Sequence, residues 1–385
     1  MGARMSSDDD KVALPAREQV EFLRREKGCT FELIGETEAE RILGHEGRLY
    51  RLKAYAKDFE TYRDPGPRQG LCIGMDFGHL VELDALDREL RDLMLGLTLD
   101  IEESLKNRIN RAAQEHGSDP YALADAYLSA VRESVLVDQL SRLDADAARA
   151  AVENASGLLD GIDFADPRGA AVAVNRTLAV LGAVTGGRDP DYIRKSIAMM
   201  SSSTYSGAIV RRYQGRRMTY MALLELLSFG PLVGFYKQCF GKGGLIDSAG
   251  ERELCRVNKN MLRQAQSMRN AAAHSDATLN TLATYRNSGT LKGVRRKLRE
   301  SGVDAEWADR VASVPVAMEL AAVLMCHDAF VERGDEREQA AERLSAAAER
   351  FGRNAGWFEK CYSVSSFIEY ATRMFAIFSG RYRGF

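Results

Sequence analysis

Apolar residues recur at three- and four-residue steps between residues 76 and 116, and this pattern limits the possible folds more than any other feature of the chain. The stripe consists of Leu83, Leu86, Leu90, Leu93, Leu97, Ile101, Leu105 and Ile109. This spacing places the side chains on one face of an α-helix. The sequence therefore predicts one long helix from Asp76 to His116, whose apolar face must be covered by other helices.

The rest of the chain also favours helices. It has 385 residues, of which 45% are hydrophobic, 8% are aromatic and only 8 are proline. No segment has the alternating pattern typical of a strand, and no internal repeat is present. We expect an all-α protein: a helical bundle with a small N-terminal helical region and a C-terminal helical extension.

Breaks in composition suggest a division of the chain. The turn-rich segment Asp64-Pro-Gly-Pro-Arg-Gln-Gly70 separates a small region from the long helix. The predicted parts are a disordered start (1–12), an N-terminal helical region (13–70), a main helical domain (71–290) with an insertion around 118–190, and a C-terminal extension (291–385). Within them we expect a helix from Met218 to Phe229 that stops at Gly230-Pro231, a second piece from Leu232 to Phe240, and one helix from Trp307 to Phe330.

Several classes of protein are disfavoured. No run approaches the roughly 18 apolar residues that span a bilayer, and the first residues lack the apolar core of a secretory signal. The 6 cysteines are scattered and form no Cys-x-x-Cys pair, which disfavours disulfides and zinc sites. We therefore expect a cytoplasmic protein with reduced thiols, with no metal, no cofactor and no membrane partner.

Positive charge is concentrated in one part of the chain. The net charge is −2, but residues 192–300 contain 19 Lys and Arg against 6 Asp and Glu, while the remainder contains 34 against 49. A basic surface of this kind favours binding to a polyanion, and solvated helix faces are the alternative. The candidate RNA-binding residues are Arg211, Arg212, Arg216, Arg217, Arg295, Arg296 and Lys297.

The segment Tyr50-Arg51-Leu52-Lys53-Ala54-Tyr55 mixes aromatic residues with cations. Such a mixture is compatible with a surface that stacks on RNA bases. The core of a small helical region is the favoured interpretation.

The segment Arg269-Asn270-Ala-Ala-Ala-His274 carries the residues most suited to chemistry. On a helix, Asn270 and His274 lie four residues apart and share a face. A second copy of the spacing, Arg111 to His116, lies outside the basic segment, and there the histidine is explained as a cation near a helix C-terminus. We therefore place the candidate site in the first copy.

These three residues can cleave RNA without a metal, because RNA supplies its own nucleophile, the 2′-hydroxyl. His274 can move the proton, Arg269 can neutralise the charge that develops on the phosphorus, and Asn270 can orient the phosphate or the imidazole. The expected products carry 2′,3′-cyclic phosphate and 5′-hydroxyl ends. Since one site holds a single histidine, a symmetric dimer would supply both the base and the acid.

Four separated pieces, in the same order, resemble the abortive-infection proteins of the AbiD/AbiF-like type, within the HEPN group of all-α ribonucleases. The similarity spans roughly residues 15 to 285. The pieces are Arg48-Leu-Tyr-Arg-Leu-Lys-Ala-Tyr55, Leu86-Asp-Arg-Glu-Leu-Arg91 with Ile101-Glu102-Glu-Ser-Leu-Lys106, Glu225-Leu-Leu-Ser-Phe-Gly230, and Arg269-Asn270 with His274.

The resemblance implies a HEPN-like bundle in which Arg269 and His274 form the catalytic pair. It further implies that Asn270 is the polar residue after the arginine and that Glu102 is the acidic residue that supports the site. One departure is clear. Relatives often continue after the histidine with a second histidine or an arginine and then an aromatic, whereas this chain continues Ser275-Asp276-Ala277, and Asp276 introduces negative charge close to the proposed phosphate site.

The resemblance also implies a biological role: a toxin-like defence protein that cleaves cellular or phage RNA and is silenced by an antitoxin, either a small structured RNA or a protein. Two other interpretations stay open. The chain is alternatively a non-catalytic HEPN-type module that binds RNA or a protein partner, which Asp276 favours, or an all-α scaffold with solvated basic faces.

Overall fold

The computed structural model describes residues 14–46, 49–140, 150, 153, 157, 189, 191–284, 291–300 and 303–384. Over these residues the protein is all-α: helices account for the regular structure, and the two β-bridges, Thr30 to Asp76 and Thr61 to Cys72, are isolated. The predicted fold class is therefore confirmed. The predicted disorder of residues 1–12 and most of the predicted insertion lie outside the described residues.

The described helices are numbered here in chain order. They are α1 (Ala16–Lys27), α2 (Glu36–Glu46), α3 (Leu49–Tyr55), α4 (Phe77–Glu115), α5 (Pro120–Leu140), α6 (Tyr192–Met199), α7 (Gly207–Arg212), α8 (Tyr220–Leu226), α9 (Phe229–Phe240), α10 (Ala249–Ala273), α11 (Leu291–Glu300), α12 (Ala305–Ser313), α13 (Pro315–Phe330), α14 (Asp335–Arg353) and α15 (Tyr362–Arg383).

The chain forms two compact units. The first contains residues 1–105 and 253–385, and the second contains residues 106–252. Helices α4 and α10 contribute residues to both units. The division proposed from the sequence, at residues 70 and 290, stays a prediction.

The long helix is present almost as predicted, since α4 runs from Phe77 to Glu115. All eight stripe residues from Leu83 to Ile109 are buried. Burial of an apolar side chain of this size contributes roughly 1.5–3 kcal/mol relative to its exposure, so burial of the stripe favours the packing of α4 against other helices.

Two predicted helix boundaries were wrong, both at prolines. The expected helix from residue 307 to residue 330 is two helices, because Pro315 disfavours helical geometry at Val314, which is extended at φ −92° and ψ 119°. Pro315 instead starts α13, a position where its missing N–H costs nothing. The break expected at Gly230-Pro231 lies earlier, at Leu227 and Ser228, and Pro231 sits in the first turn of α9.

In the first unit, the C-terminal helices bind α4 through polar side chains. Arg350 donates to both carboxylate oxygens of Glu82, at 2.6 and 3.1 Å. Arg343 donates to Asp100 at 2.7 Å, and it passes Gly96, where a Cβ atom would collide with its guanidinium group. A glycine inside a helix costs about 1 kcal/mol relative to alanine, and here it leaves room for the guanidinium group of Arg343.

A buried carboxyl group in the first unit predicts a pH-dependent stability. Asp58 accepts the backbone N–H of Ala283 at 2.9 Å, while its Oδ2 atom is buried without a hydrogen bond from any described residue. Burial raises the pKa of this carboxyl from 3.8 to about 7. The folded protein therefore holds this proton more tightly than the unfolded chain does.

The stability contributed by the Asp58 proton should be fully present below about pH 4 and should be lost as the pH rises through about 7. Within that window this group contributes a slope of about −1.4 kcal/mol per pH unit to the free energy of unfolding. Urea unfolding of wild type and Asp58→Asn at several pH values between 4 and 8 measures the difference in slope. Equal slopes in the two proteins would contradict the expectation.

Candidate active site

The predicted site residues Arg269 and Glu102 come together where the end of α10 meets α4. Arg269 Nη2 lies 4.0 Å from Glu102 Oε2, and the two side chains are 23% and 15% exposed. The Nε atom of Arg269 is buried and has no hydrogen bond from the described residues. The remaining exposure of the Arg269 side chain leaves part of the guanidinium group accessible to a ligand.

Asn270 and His274 lie on the exposed side of the same helix end. The backbone N–H of His274 donates to the carbonyl of Asn270 at 2.9 Å, so the two residues are one turn apart and share a face as predicted. Both side chains are exposed, and no described residue hydrogen-bonds to the imidazole ring of His274. The site thus combines a half-buried cation with an exposed carboxamide and an exposed imidazole.

His274 is the C-cap residue of a Schellman motif, a common way of ending a helix. The N–H of Ser275 donates to Ala272 at 3.2 Å, and the N–H of Asp276 donates to Ala271 at 2.9 Å. The cap requires a left-handed residue, and Ser275 takes that conformation with φ at +56°, the only described residue other than glycine to do so. A serine is disfavoured there, because its Cβ atom crowds the backbone.

The second copy of the spacing ends its helix in the same way, with a different result for the histidine. The N–H of Gly117 donates to Gln114 and the N–H of Ser118 to Ala113, and Gly117 has φ at +59°. Nδ1 of His116, however, bonds back to the carbonyl of Ala112 at 2.9 Å. The imidazole of His116 therefore forms a hydrogen bond with the backbone of its own helix, whereas the imidazole of His274 forms none with the described residues.

These two caps predict opposite effects on stability. Ser275→Gly should stabilise the first unit by about 0.5–1 kcal/mol, because glycine adopts a positive φ without steric cost, and its extra freedom in the unfolded chain offsets part of the gain. Gly117→Ser should destabilise the second unit by a similar amount. Hydrogen exchange of α10 and α4 amides under native conditions measures both. A loss of protection in Ser275→Gly would contradict the assignment.

Two arginines bind the backbone directly after His274. Arg51 of α3 donates to the carbonyl of Ser275, and Arg91 of α4 donates to the carbonyl of Asp276 at 3.0 Å. The segment of residues 275–279 is called here the post-helix segment. The first two carbonyl groups of this segment, those of Ser275 and Asp276, are therefore each bound by an arginine from another helix.

The same segment is bound further along by Asp87, a residue with no exposure to solvent. Asp87 Oδ1 accepts the backbone N–H groups of Thr278 and Leu279, at 2.9 and 3.1 Å, and also the hydroxyl of Thr278. Asp87 Oδ2 accepts the hydroxyl of Tyr55 at 2.8 Å and a hydrogen bond from Arg91. Three of the pieces that carry the family resemblance thus meet around the backbone that follows His274.

Sequence reasoning did not select Arg51, Tyr55, Asp87 or Arg91 as site residues. A signal was present in the apolar stripe, because Asp87 lies four residues after Leu83 and three before Leu90. A carboxylate at a core position must find partners. The two aromatic ends of the Tyr50–Tyr55 segment differ in burial. Tyr55 lies in the core, as the favoured interpretation predicts, while Tyr50 is 88% exposed.

The first group of candidate RNA-binding arginines lies in the second unit. All four side chains are exposed. Arg211 donates to the carbonyl of Ser201 at 2.6 Å, and Arg217 donates to Asp125 at 2.8 Å. Arg212 lies over the ring of Tyr213, with its Cζ atom 5.9 Å from the ring centre, and Arg216 points into solvent.

The second group lies on α11 in the first unit and is less uniform. Arg296 is exposed, and its Nε atom lies 3.5 Å from Oε1 of Glu300. The Nε atom of Arg295 lies 3.2 Å from Oδ1 of Asp309. Lys297 instead donates to Asn258 on α10 at 2.6 Å, and burial lowers the pKa of its ammonium group. Its hydrogen bond ties α11 to α10, so a contact to a phosphate would require Lys297 to leave this position.

Comparison with known proteins places the chain in a family. The sequence profile described as "Abi-like protein" matches residues 45–280, more than half of the chain and a range that includes the residues around the candidate site from Arg51 to His274. The chain belongs to the Abi-like protein family. This membership indicates a role in abortive-infection defence. No curated protein and no solved structure gives a match.

Neither a single-helix membrane span nor a metal-binding cluster is present among the described residues. No single described helix is long and apolar enough to cross a membrane, although the bent pair Ala305–Val311 and Pro315–Phe330 passes the same test when combined. The second member of that pair, α13, is buried along most of its length in the core of the first unit. Among the described residues, no cluster of three or more His, Cys, Asp or Glu side chains is arranged to hold a metal ion.

Proposed function

We propose that this Abi-like protein is a metal-independent endoribonuclease of the HEPN type. The observation that carries the proposal is the position of His274: an exposed imidazole without a hydrogen-bond partner among the described residues, one turn from Asn270 and five residues after the half-buried Arg269. The second arginine–histidine copy provides the contrast, because its imidazole is bonded to its own helix.

In the proposed reaction the 2′-hydroxyl of one nucleotide attacks the adjacent phosphorus. His274 accepts the 2′-hydroxyl proton as the new P–O bond forms. The bond from phosphorus to the 5′-oxygen then breaks, and this oxygen takes a proton from an acid. Arg269 faces the negative charge of the phosphorane, Asn270 orients a phosphate oxygen, and Glu102 holds the guanidinium from behind.

Base and acid are two roles, and each copy of the chain supplies one His274. We therefore propose a homodimer in which the His274 of a second copy protonates the leaving 5′-oxygen. The products are a 2′,3′-cyclic phosphate and a 5′-hydroxyl. The exposed arginines at 211, 212, 216 and 217 and on α11 would bind the RNA backbone, with an affinity that falls as salt rises.

A second function is supported by one specific observation. Asp276 is exposed two residues after His274 and adds a negative charge near the proposed phosphate position. A non-catalytic HEPN-type module, which binds RNA or a protein partner, tolerates that charge better than a nuclease does. In either case the proposed setting is a defence system in which an antitoxin, either a small structured RNA or a protein, keeps the protein silent.

One experiment separates these functions. The protein is incubated with total RNA in excess EDTA, and wild type is compared with His274→Ala in cleavage and in RNA binding at several salt concentrations. The nuclease predicts cleavage that is lost in the variant while binding is kept. Salt-sensitive binding without cleavage by either protein supports the non-catalytic module, and absence of both contradicts each proposal.

A further inference from the structure

The position of His274 raises a structural question, because it directly follows the last residue of α10 and is exposed. Helix ends fray, and here the chain leaves the helix through Ser275 in a disfavoured left-handed conformation. A general base must hold its ring within hydrogen-bond reach of one proton. Something outside α10 must therefore fix the chain where it leaves the helix.

The contacts of the post-helix segment answer that question. Of its five residues, four are bound by side chains from α3 and α4: Ser275 by Arg51, Asp276 by Arg91, and Thr278 and Leu279 by Asp87. The two amides bound by Asp87 are buried with it. The backbone path after His274 is thus set by residues that precede it by more than 180 positions in the chain.

Asp87 is the centre of this arrangement. One of its oxygens binds the post-helix segment, and the other binds Tyr55 and Arg91. Arg91, 7% exposed, then extends the same network to the carbonyl of Asp276. A buried carboxylate with partners on both oxygens has little freedom to rotate, so it transmits the rigid position of α4 to the turn that carries His274.

We infer that Asp87 is a positioning residue for the proposed reaction, acting through the post-helix segment to hold the imidazole of His274 in place. This inference rests on the proposed function. Asp87 itself is buried and contacts neither RNA nor the reacting atoms, so it is not a catalytic residue. Arg91 and Tyr55 hold its carboxylate in the orientation that receives the two amides.

The test uses Asp87→Asn in the full chain, with Glu82→Gln as the matched control. Glu82 is also a buried carboxylate of α4 that binds an arginine, but its partners are Arg350 and Asn354. Both variants lose a buried charge, so a general loss of stability affects both. Only Asp87→Asn changes the contacts of the post-helix segment.

Two measurements are made on each protein: hydrogen exchange of the amides of residues 275–279, and kcat and KM for an RNA oligonucleotide. Asp87→Asn should speed exchange of these amides by about tenfold or more relative to the amides of α10. It should lower kcat by on the order of 100-fold with little change in KM, since misplacement of a catalytic group by about 1 Å has that effect. Glu82→Gln should change neither quantity.

The inference is overturned if the post-helix amides keep their protection in Asp87→Asn, or if they lose it while kcat stays at the wild-type value. If Asp87→Asn does not fold, Thr278→Val replaces it, because this variant removes the hydroxyl bonded to Asp87 and keeps the side-chain shape. Failure of the proposed function differs from failure of the inference about Asp87, because it would appear as absence of RNA cleavage by the wild-type protein. In that case the exchange measurement alone decides whether Asp87 fixes the segment.

Discussion

His274→Ala is expected to lower the rate of RNA cleavage by about 10²–10⁴-fold, the usual contribution of a positioned general acid or base. The side chain is exposed and has no hydrogen bond from the described residues, so its removal leaves the packing of α10 intact. The affinity for RNA should therefore stay close to that of wild type. Initial rates with a fluorescent RNA oligonucleotide, and its equilibrium binding in excess EDTA, measure the two effects separately.

The control for this variant is His116→Ala, the same substitution at the end of a helix with the same type of cap. His116 bonds to Ala112, so its loss should cost a little stability and leave the cleavage rate unchanged. Equal losses of activity in the two variants would show that the effect of His274→Ala is general. Full activity of His274→Ala would exclude this histidine from the reaction.

Arg269→Ala is expected to lower cleavage by about 10²–10³-fold, the loss seen when one preorganised donor to a developing negative charge is removed. Here the cation is half-buried next to Glu102, where its interaction with a phosphorane is stronger than in water. The substitution also leaves the Glu102 carboxylate, 15% exposed, without the nearby guanidinium. We therefore expect a lower thermal midpoint as well as a lower kcat.

Arg269→Lys separates charge from geometry. Lysine keeps the positive charge but lacks the planar fork of donors, so activity should be recovered only in part. Arg111→Ala, in the second copy of the spacing, is the matched control and should cleave RNA at the wild-type rate. An Arg269→Ala protein of normal stability and normal activity would remove this residue from the site.

Much of the fold could be predicted from periodicity alone. The apolar stripe located α4 to within one residue at each end, because all eight of its members belong to the buried face. The errors arose at two prolines: the prediction ends a helix at Pro231 and runs one helix through Pro315. Pro231 and Pro315 both lie in the first turn of a helix, and sequence alone does not distinguish a proline that follows a helix from one that begins the next.

The sequence suggests the members of the candidate site but not what supports them. Arg269, Asn270 and His274 lie within six residues at the end of α10, so a local pattern is enough to select them. Asp87 reaches the same place through a tertiary contact across 191 residues, to Thr278. A pairing of that kind is decided by how helices pack, so no local pattern could reveal which segment would receive the buried carboxylate.

The chemistry at the cut ends tests the central claim most directly. A defined RNA oligonucleotide is incubated with wild-type protein in excess EDTA, and the products are identified by mass spectrometry, alongside the same RNA with a 2′-O-methyl group at the cut nucleotide. A ribonuclease centre at Arg269 and His274 predicts 2′,3′-cyclic phosphate and 5′-hydroxyl ends, and no cleavage at the methylated nucleotide. Products with 3′-hydroxyl and 5′-phosphate ends, or cleavage at the methylated nucleotide, would contradict it.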